Sequence, residues 1–307
     1  MPNAPLAPAL PRRDFLALAA TPLAAAPSPA APPQIGILVN TTYTSGTLEQ
    51  RLDEARAHGL DCVQLSLSCA GLPDLPEEVP TGLPARFLRE AESRRLRFAS
   101  LQGTFNMCHP DPAQRQSGLA RLRILTRAFP RTPIHICTGT RNDKSMWRPH
   151  PDNTTSEAWR DMAACIREAT QIAAQSGCVL AFEPEVNNIV NSAAKARRLL
   201  DEIASPYLKV TLDPANLFPA GALPRMKEIL EEAFSLLGKD IALAHAKDLD
   251  HDGDAGHKAA GEGLLDYDLY LRLLRQYRFS GPLLLHGLSR AQVPACVAFL
   301  HGKLARA

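Results

Sequence analysis

From Gln34 onward, short apolar runs alternate with longer amphipathic ones, and the alternation repeats eight times. The strand-like runs cover residues 35–39, 62–67, 97–101, 133–137, 179–182, 208–212, 241–244 and 282–285. Most are nearly uniform in apolar residues, the pattern of parallel strands buried on both faces. The segments between them carry helical periodicity over 47–58, 85–94, 113–128, 156–176, 192–203, 226–237 and 267–277, and a last one covers 294–304. Glycines close several of them, as Gly59 and Gly177 do after the first and fourth. Strict repetition of this kind predicts a (β/α)8 barrel rather than a doubly wound open sheet. No glycine-rich phosphate loop follows the first strand, which argues against the open-sheet alternative.

The segment before the first strand reads differently. Residues 1–33 are rich in Ala and Pro, and their only charges are Arg12, Arg13 and Asp14. A twin arginine followed by Phe15, Leu16 and a short Ala/Leu stretch resembles a Tat export signal, with small residues near Ala26 where a peptidase can cut. The expectation is an exported, periplasmic protein with a signal and linker over 1–33 and one barrel domain over 34–307. Neither this stretch nor any later one is long and apolar enough to span a bilayer. Tat cargo folds before export, so the seven cysteines are expected to be buried free thiols. With 34 basic and 32 acidic side chains the net charge is +2, which leaves no electrostatic footprint for nucleic acid. The outer helices of a barrel look alike facing water or a second copy, so self-association stays open.

In a (β/α)8 barrel the chemistry sits at the carboxyl ends of the strands. Strand five ends in Glu183, with Glu185 two residues on; strand six is followed by Asp213 and Asn216, strand seven by His245 and Lys247, and strand eight by His286. Two carboxylates converging on a partly dry axis repel one another unless something positive joins them. A divalent cation answers that demand, and mixed carboxylate and imidazole donors suit Mn, Zn or Co better than Mg.

Glu183, Asp213 and His245, the run His245-Ala246-Lys247-Asp248 and the later Gly261-Glu262-Gly263 resemble the xylose isomerase-like TIM barrel superfamily of sugar isomerases and epimerases. The resemblance implies one divalent metal held by a Glu, an Asp, a His and a last Glu. It carries the first three roles onto Glu183, Asp213 and His245. At the fourth position this chain has His286, an imidazole able to ligate a metal or move a proton but lacking a carboxylate's charge. The resemblance implies enediolate chemistry on a sugar or keto-sugar, with Glu183 as base and His286 or Lys247 as the opposing acid.

Substrate contacts are expected from His109 and from Arg141, an oxyanion clamp, with Trp147 as an apolar wall against a sugar face. Glu185, Asn216 and His251 complete that set. His135, inside a strand, reads as a core residue. Export points to a free sugar, because sugar phosphates are cytoplasmic metabolites. Two other readings remain: a metal-dependent lyase on a 3-keto-glycoside, which needs no symmetric pair of glutamates, and a non-catalytic sugar-binding barrel.

Overall fold

The computed structural model describes residues 32–306, so the export signal read from Arg12 to Leu16 lies outside the described residues. Eight strands run parallel and close on themselves: β1 (Gln34–Leu38), β2 (Cys62–Leu65), β3 (Arg97–Gln102), β4 (Ile134–Cys137), β5 (Leu180–Glu183), β6 (Leu208–Leu212), β7 (Ile241–Asp248) and, after the two-residue β8 (Lys258–Ala259) outside the barrel, β9 (Pro282–Leu285). Closure is made by the parallel pairing of β1 with β9, where Ile35 lies beside Leu283 and Ile37 beside Leu285. The outer layer consists of α2 (Leu48–Ala57), α3 (Leu83–Ser93), α4 (Pro112–Ala128), α5 (Ser156–Gln175), α6 (Ala193–Ile203), α7 (Met226–Leu237), α8 (Tyr267–Gln276) and α9 (Val293–Leu304). A one-turn helix, α1 (Val39–Thr42), follows β1 directly. The molecule is a (β/α)8 TIM barrel.

Packing follows the sequence period. Along α5, Trp159, Met162, Ala163, Ile166, Ala169, Ile172 and Ala173 recur at helical spacing and are buried against the sheet. Its start is set by Thr155, whose hydroxyl accepts the Ala158 N–H at 3.2 Å. A second, small apolar cluster of Leu38, Cys62, Ala99 and Leu284 is separate from the main core. Above it the strands carry polar side chains: Ser100 donates to Gln64, Gln64 to Gln102, and Gln102 to Thr104, at 2.8, 2.8 and 3.0 Å.

The elements differ from expectation chiefly in β7. It continues four residues beyond the anticipated end at Ala244, because Lys247 and Asp248 pair antiparallel with the two-residue β8 (Lys258–Ala259). His245 and Lys247 therefore stand within a strand, and its two-residue period points them to the same face. In β2 the strand stops early, at Leu65, since the Ser66 side chain caps a 3-10 turn over Leu67–Ala70. All seven cysteines are free and buried.

Close approach inside the barrel explains Gly36. A Cβ there would meet the Cys62 carbonyl oxygen at 2.6 Å and Leu284 Cδ2 at 2.8 Å. Gly36→Val is expected to lower the unfolding free energy by about 1–3 kcal/mol through overpacking. Gly302→Ala in α9, where an added Cβ meets nothing, should raise it by up to about 1 kcal/mol. Urea unfolding of both variants checks the opposite signs.

Candidate active site

The site is assembled by how each strand end satisfies its own backbone. After β6, Asp213 caps a 3-10 turn over Pro214–Asn216, its Oδ1 accepting the Ala215 N–H at 3.1 Å. That bond commits Oδ1 and leaves Oδ2 facing the barrel axis. There it lies 3.2 Å from Lys247 Nζ, 3.4 Å from His245 Nδ1 and 3.7 Å from His286 Nδ1. Glu183 Oε1 stands 3.4 Å from His245 Nδ1 and accepts the Asn216 side-chain N–H at 2.8 Å. Asn216 in turn accepts the Gly256 N–H at 2.9 Å, so both ends of its amide are taken. From behind, Tyr270 and Tyr267 donate to the carbonyls of His245 and Lys247, each at 3.0 Å.

Burial sets the electrostatics. Glu183 and Asp213 are 2% and 0% exposed, and burial alone would push both carboxyls up. Their cationic neighbours reverse this: His245 lowers Glu183, and Lys247 foremost holds Asp213 well below the usual carboxylate range. The same pairing acts on the bases. Burial opposes charge on His245, but Glu183 and Asp213 raise it to about 9. His286 is lowered by burial and by Lys247. Glu185, buried and less well compensated, is pushed up to about 7.

Four buried atoms here have no hydrogen-bond partner: Asp213 Oδ2, both ring nitrogens of His245 and His286 Nδ1. Asp213 Oδ2 lies near Lys247 Nζ at 3.2 Å, His245 Nδ1 at 3.4 Å and His286 Nδ1 at 3.7 Å, in each case without hydrogen-bond alignment. Buried polar atoms are rarely left so. One donor atom from each of Asp213, His245 and His286 lies within 4.8 Å of the others. One carboxylate oxygen and two imidazoles fit a divalent ion of the Mn, Zn or Co kind. Glu183 borders this trio through His245 and does not complete it.

Above these residues opens a cavity of about 460 Å³. Glu183, Glu185, Asn216, Lys247 and His286 line it, with Trp147 and Met146 as its apolar wall. Three expected substrate contacts lie elsewhere. Arg141 is buried in an ion pair with Asp161 at 2.8 Å, beside Glu157 on the first turns of α5, and does not line the cavity. His109 is spent within its own loop: Nδ1 accepts the Asp111 N–H at 3.0 Å, and Nε2 meets the Asp143 carbonyl at 3.3 Å. His251 is exposed, with its Nδ1 on Asp250 at 2.6 Å. Asn216 lines the cavity, but its amide, engaged at both ends, acts as a strut on Glu183.

The cavity also holds residues that sequence reasoning placed elsewhere. His135 on β4 is buried, as a core residue would be, yet it faces the site: Nδ1 bonds Thr211 Oγ1 at 3.0 Å and Nε2 lies 3.5 Å from Glu183 Oε2. Thr211 donates to the Ala181 carbonyl, so its oxygen accepts from His135 Nδ1–H and Nε2 keeps its lone pair. Burial lowers this imidazole to about 3. The parity of β4, which turns His135 inward beside Ala181 of β5, was the available signal. Asn40, Asp74, Gln102 and Asp254 line the cavity too, and Asn40 Oδ1 has no partner.

A parallel (β/α)8 barrel with carboxylates and imidazoles gathered at the carboxyl ends of its strands defines a class of TIM barrels. The chain belongs to the xylose isomerase-like TIM barrel family, whose model matches residues 52–295. Solved structures share the fold at low identity. The 3-keto-D-glucoside 4-epimerase of E. coli superposes with a TM-score of 0.66 at 16% identity, covering 88% of this chain and 99% of that one. The D-psicose 3-epimerase of Clostridium cellulolyticum H10, solved with D-tagatose, gives 0.66 at 14% identity with the same coverages. A xylose isomerase domain protein from Planctomyces limnophilus gives 0.66 at 16%, covering 91% and 99%. No curated protein matches the sequence.

The raised Glu185 carboxyl makes a stability prediction. Its folded value of about 7 exceeds the ordinary 4.5, so the folded state binds the extra proton between those pH values. Stability is thus lost as pH rises from about 4.5 to 7, by on the order of 3 kcal/mol. Glu185→Gln should therefore raise the unfolding free energy above pH 7 and leave it unchanged near pH 4. Urea titrations of metal-free protein at the two pH values measure this, and a difference independent of pH would refute it.

Proposed function

We propose that this protein is a metal-dependent isomerase or epimerase acting on an uncharged sugar or keto-sugar through an enediolate. The observation that carries the reading is the set of unpartnered buried atoms on Asp213, His245 and His286. Asp213, His245 and His286 would hold the ion, with Glu183 at its edge. When bound, a divalent cation supplies Lewis acidity toward a substrate carbonyl and the charge that develops on it.

The chain's own groups do the rest. Glu183 is kept ionised by His245, and Asn216 fixes its Oε1, leaving Oε2 to take the proton next to the carbonyl. Lys247, held as an ammonium beside Asp213, is the group on hand to return a proton. His286, kept neutral by burial, offers a lone pair. His135, neutral and buried, packs below Glu183 with its Nε2 3.5 Å from Oε2. Trp147 and Met146 give a flat apolar wall of the kind a sugar face packs against.

The lining also selects by charge. It carries Asp74, Glu183, Glu185 and Asp254 against one ammonium, Lys247, which Asp213 already engages. With Arg141 turned away to Asp161, no guanidinium among the described lining residues receives a phosphate or carboxylate. A neutral sugar fits this wall, and it agrees with the export proposed from Arg12 and Arg13. His286 in place of a second glutamate favours one alternative, a lyase that expels a leaving group from a 3-keto-glycoside after the same proton abstraction.

Solvent deuterium exchange into free ketohexoses and 3-keto-glucosides, compared between Mn-loaded and chelator-stripped protein, tests the reading. Exchange next to the carbonyl is expected with metal only, and Glu183→Gln should cut it by about 10²–10⁴-fold. Phosphorylated counterparts should exchange poorly. Exchange undiminished by stripping would sink the metal-dependent mechanism, and metal-loaded protein inert on every neutral sugar would favour a binding barrel. Loss of a glycosidic group among the products would mark the lyase.

A further inference from the structure

The segment after β7 carries a second convergence of ligand-type atoms, apart from the one at the barrel axis. His251 Nδ1 and His257 Nε2 both aim at the same oxygen, Asp250 Oδ1, at 2.6 and 2.7 Å. The two rings lie 4.4 Å apart, tilted by 36°. Lys258 Nζ holds the other oxygen, Oδ2, at 2.9 Å, which fixes the carboxylate with Oδ1 turned to the imidazoles. All three side chains are open to solvent, with 43%, 62% and 37% of Asp250, His251 and His257 exposed. Their ligand atoms fall within 4.8 Å of one another.

We propose that Asp250, His251 and His257 form a surface site for a borderline transition metal, Zn²⁺, Ni²⁺ or Cu²⁺, distinct from the centre at the barrel mouth. Two imidazoles and one carboxylate oxygen are the donors such ions prefer, and too few oxygens are present for Ca²⁺ or Mg²⁺. Solvent access leaves the remaining coordination positions to water. Lys258 stays as the outer partner that orients the ligating carboxylate.

The site has a structural consequence. His251 and His257 bracket the stretch that brings Asp254 to the cavity wall, where its carboxylate accepts the Asn187 side-chain N–H at 2.6 Å. Asp252 ties the same stretch to the backbone N–H groups of Gly221 and Leu223 at 3.1 and 2.7 Å. A cation held by both histidines joins the two ends of this wall and restricts its opening.

Calorimetric titration of tag-free, chelator-stripped protein with Zn²⁺ tests the assignment, using the wild type, a His251→Asn/His257→Asn variant and an Asp213→Asn/His245→Asn variant. The expected result is two equivalents for the wild type and one for each variant. Cobalt substitution gives a separate readout, since the visible bands contributed by the loop site should vanish in the His251/His257 variant alone. A wild type that binds one equivalent and loses it with His251 and His257 also supports the loop site, and counts instead against the mouth. Retention of every equivalent in the His251/His257 variant would overturn the proposal. So would loop binding confined to millimolar metal, the mark of an adventitious surface contact. The loop residues are exposed, and unchanged circular dichroism confirms that the variant folds.

Discussion

Two carboxylates buried side by side at the ends of neighbouring strands are the constraint around which this barrel is organised. Glu183 and Asp213 are almost wholly out of water, and in that position neither can stay ionised without nearby positive charge. The next strand supplies it twice, through His245 and Lys247, two residues apart on one face of β7. The extended β7 is thus an electrostatic necessity as much as a topological detail. In metal-free protein the carboxylates hold a proton on His245, and a divalent cation would take over that role with more charge at the same place.

The surrounding polar residues limit what the centre can do by consuming spare hydrogen-bonding capacity. Asp213 Oδ1 is used by the turn that follows it, Glu183 Oε1 by Asn216, and the Asn216 oxygen by Gly256. Each commitment removes a degree of freedom, so the remaining lone pairs face one another and not solvent. Preorganisation of this kind lets a few side chains act on a developing charge without first rearranging. It also explains why Asn216, despite its place at the rim, serves the site as a strut.

Much of this was legible in the sequence because the relevant signals are local. Apolar runs ending in Glu, Asp or His declare both a buried strand and what stands at its end, and Asp213-Pro214-Ala215-Asn216 encodes its own turn. What was hidden depends on contacts that barrel closure creates between distant residues. Arg141 looked like an anion clamp because its partner Asp161 lies a turn and a half into the next helix. His109 and His251 looked available because the groups that occupy them, Asp143 and Asp250, are ordinary loop residues. His135 looked like core and is core in burial, yet strand parity places it against Glu183. The cavity contributions of Asn40, on a one-turn helix, and Asp74, on a loop, come from segments too short or irregular to carry a periodic pattern.

The claim that the buried carboxylates demand a positive charge, which a divalent ion can supply, is tested most directly by following the His245 imidazole by NMR. In chelator-stripped protein it should remain protonated until about pH 9 and lose its proton near neutral pH when Zn²⁺ is added. An imidazole that titrates near the ordinary 6.5 and ignores the metal would contradict the account.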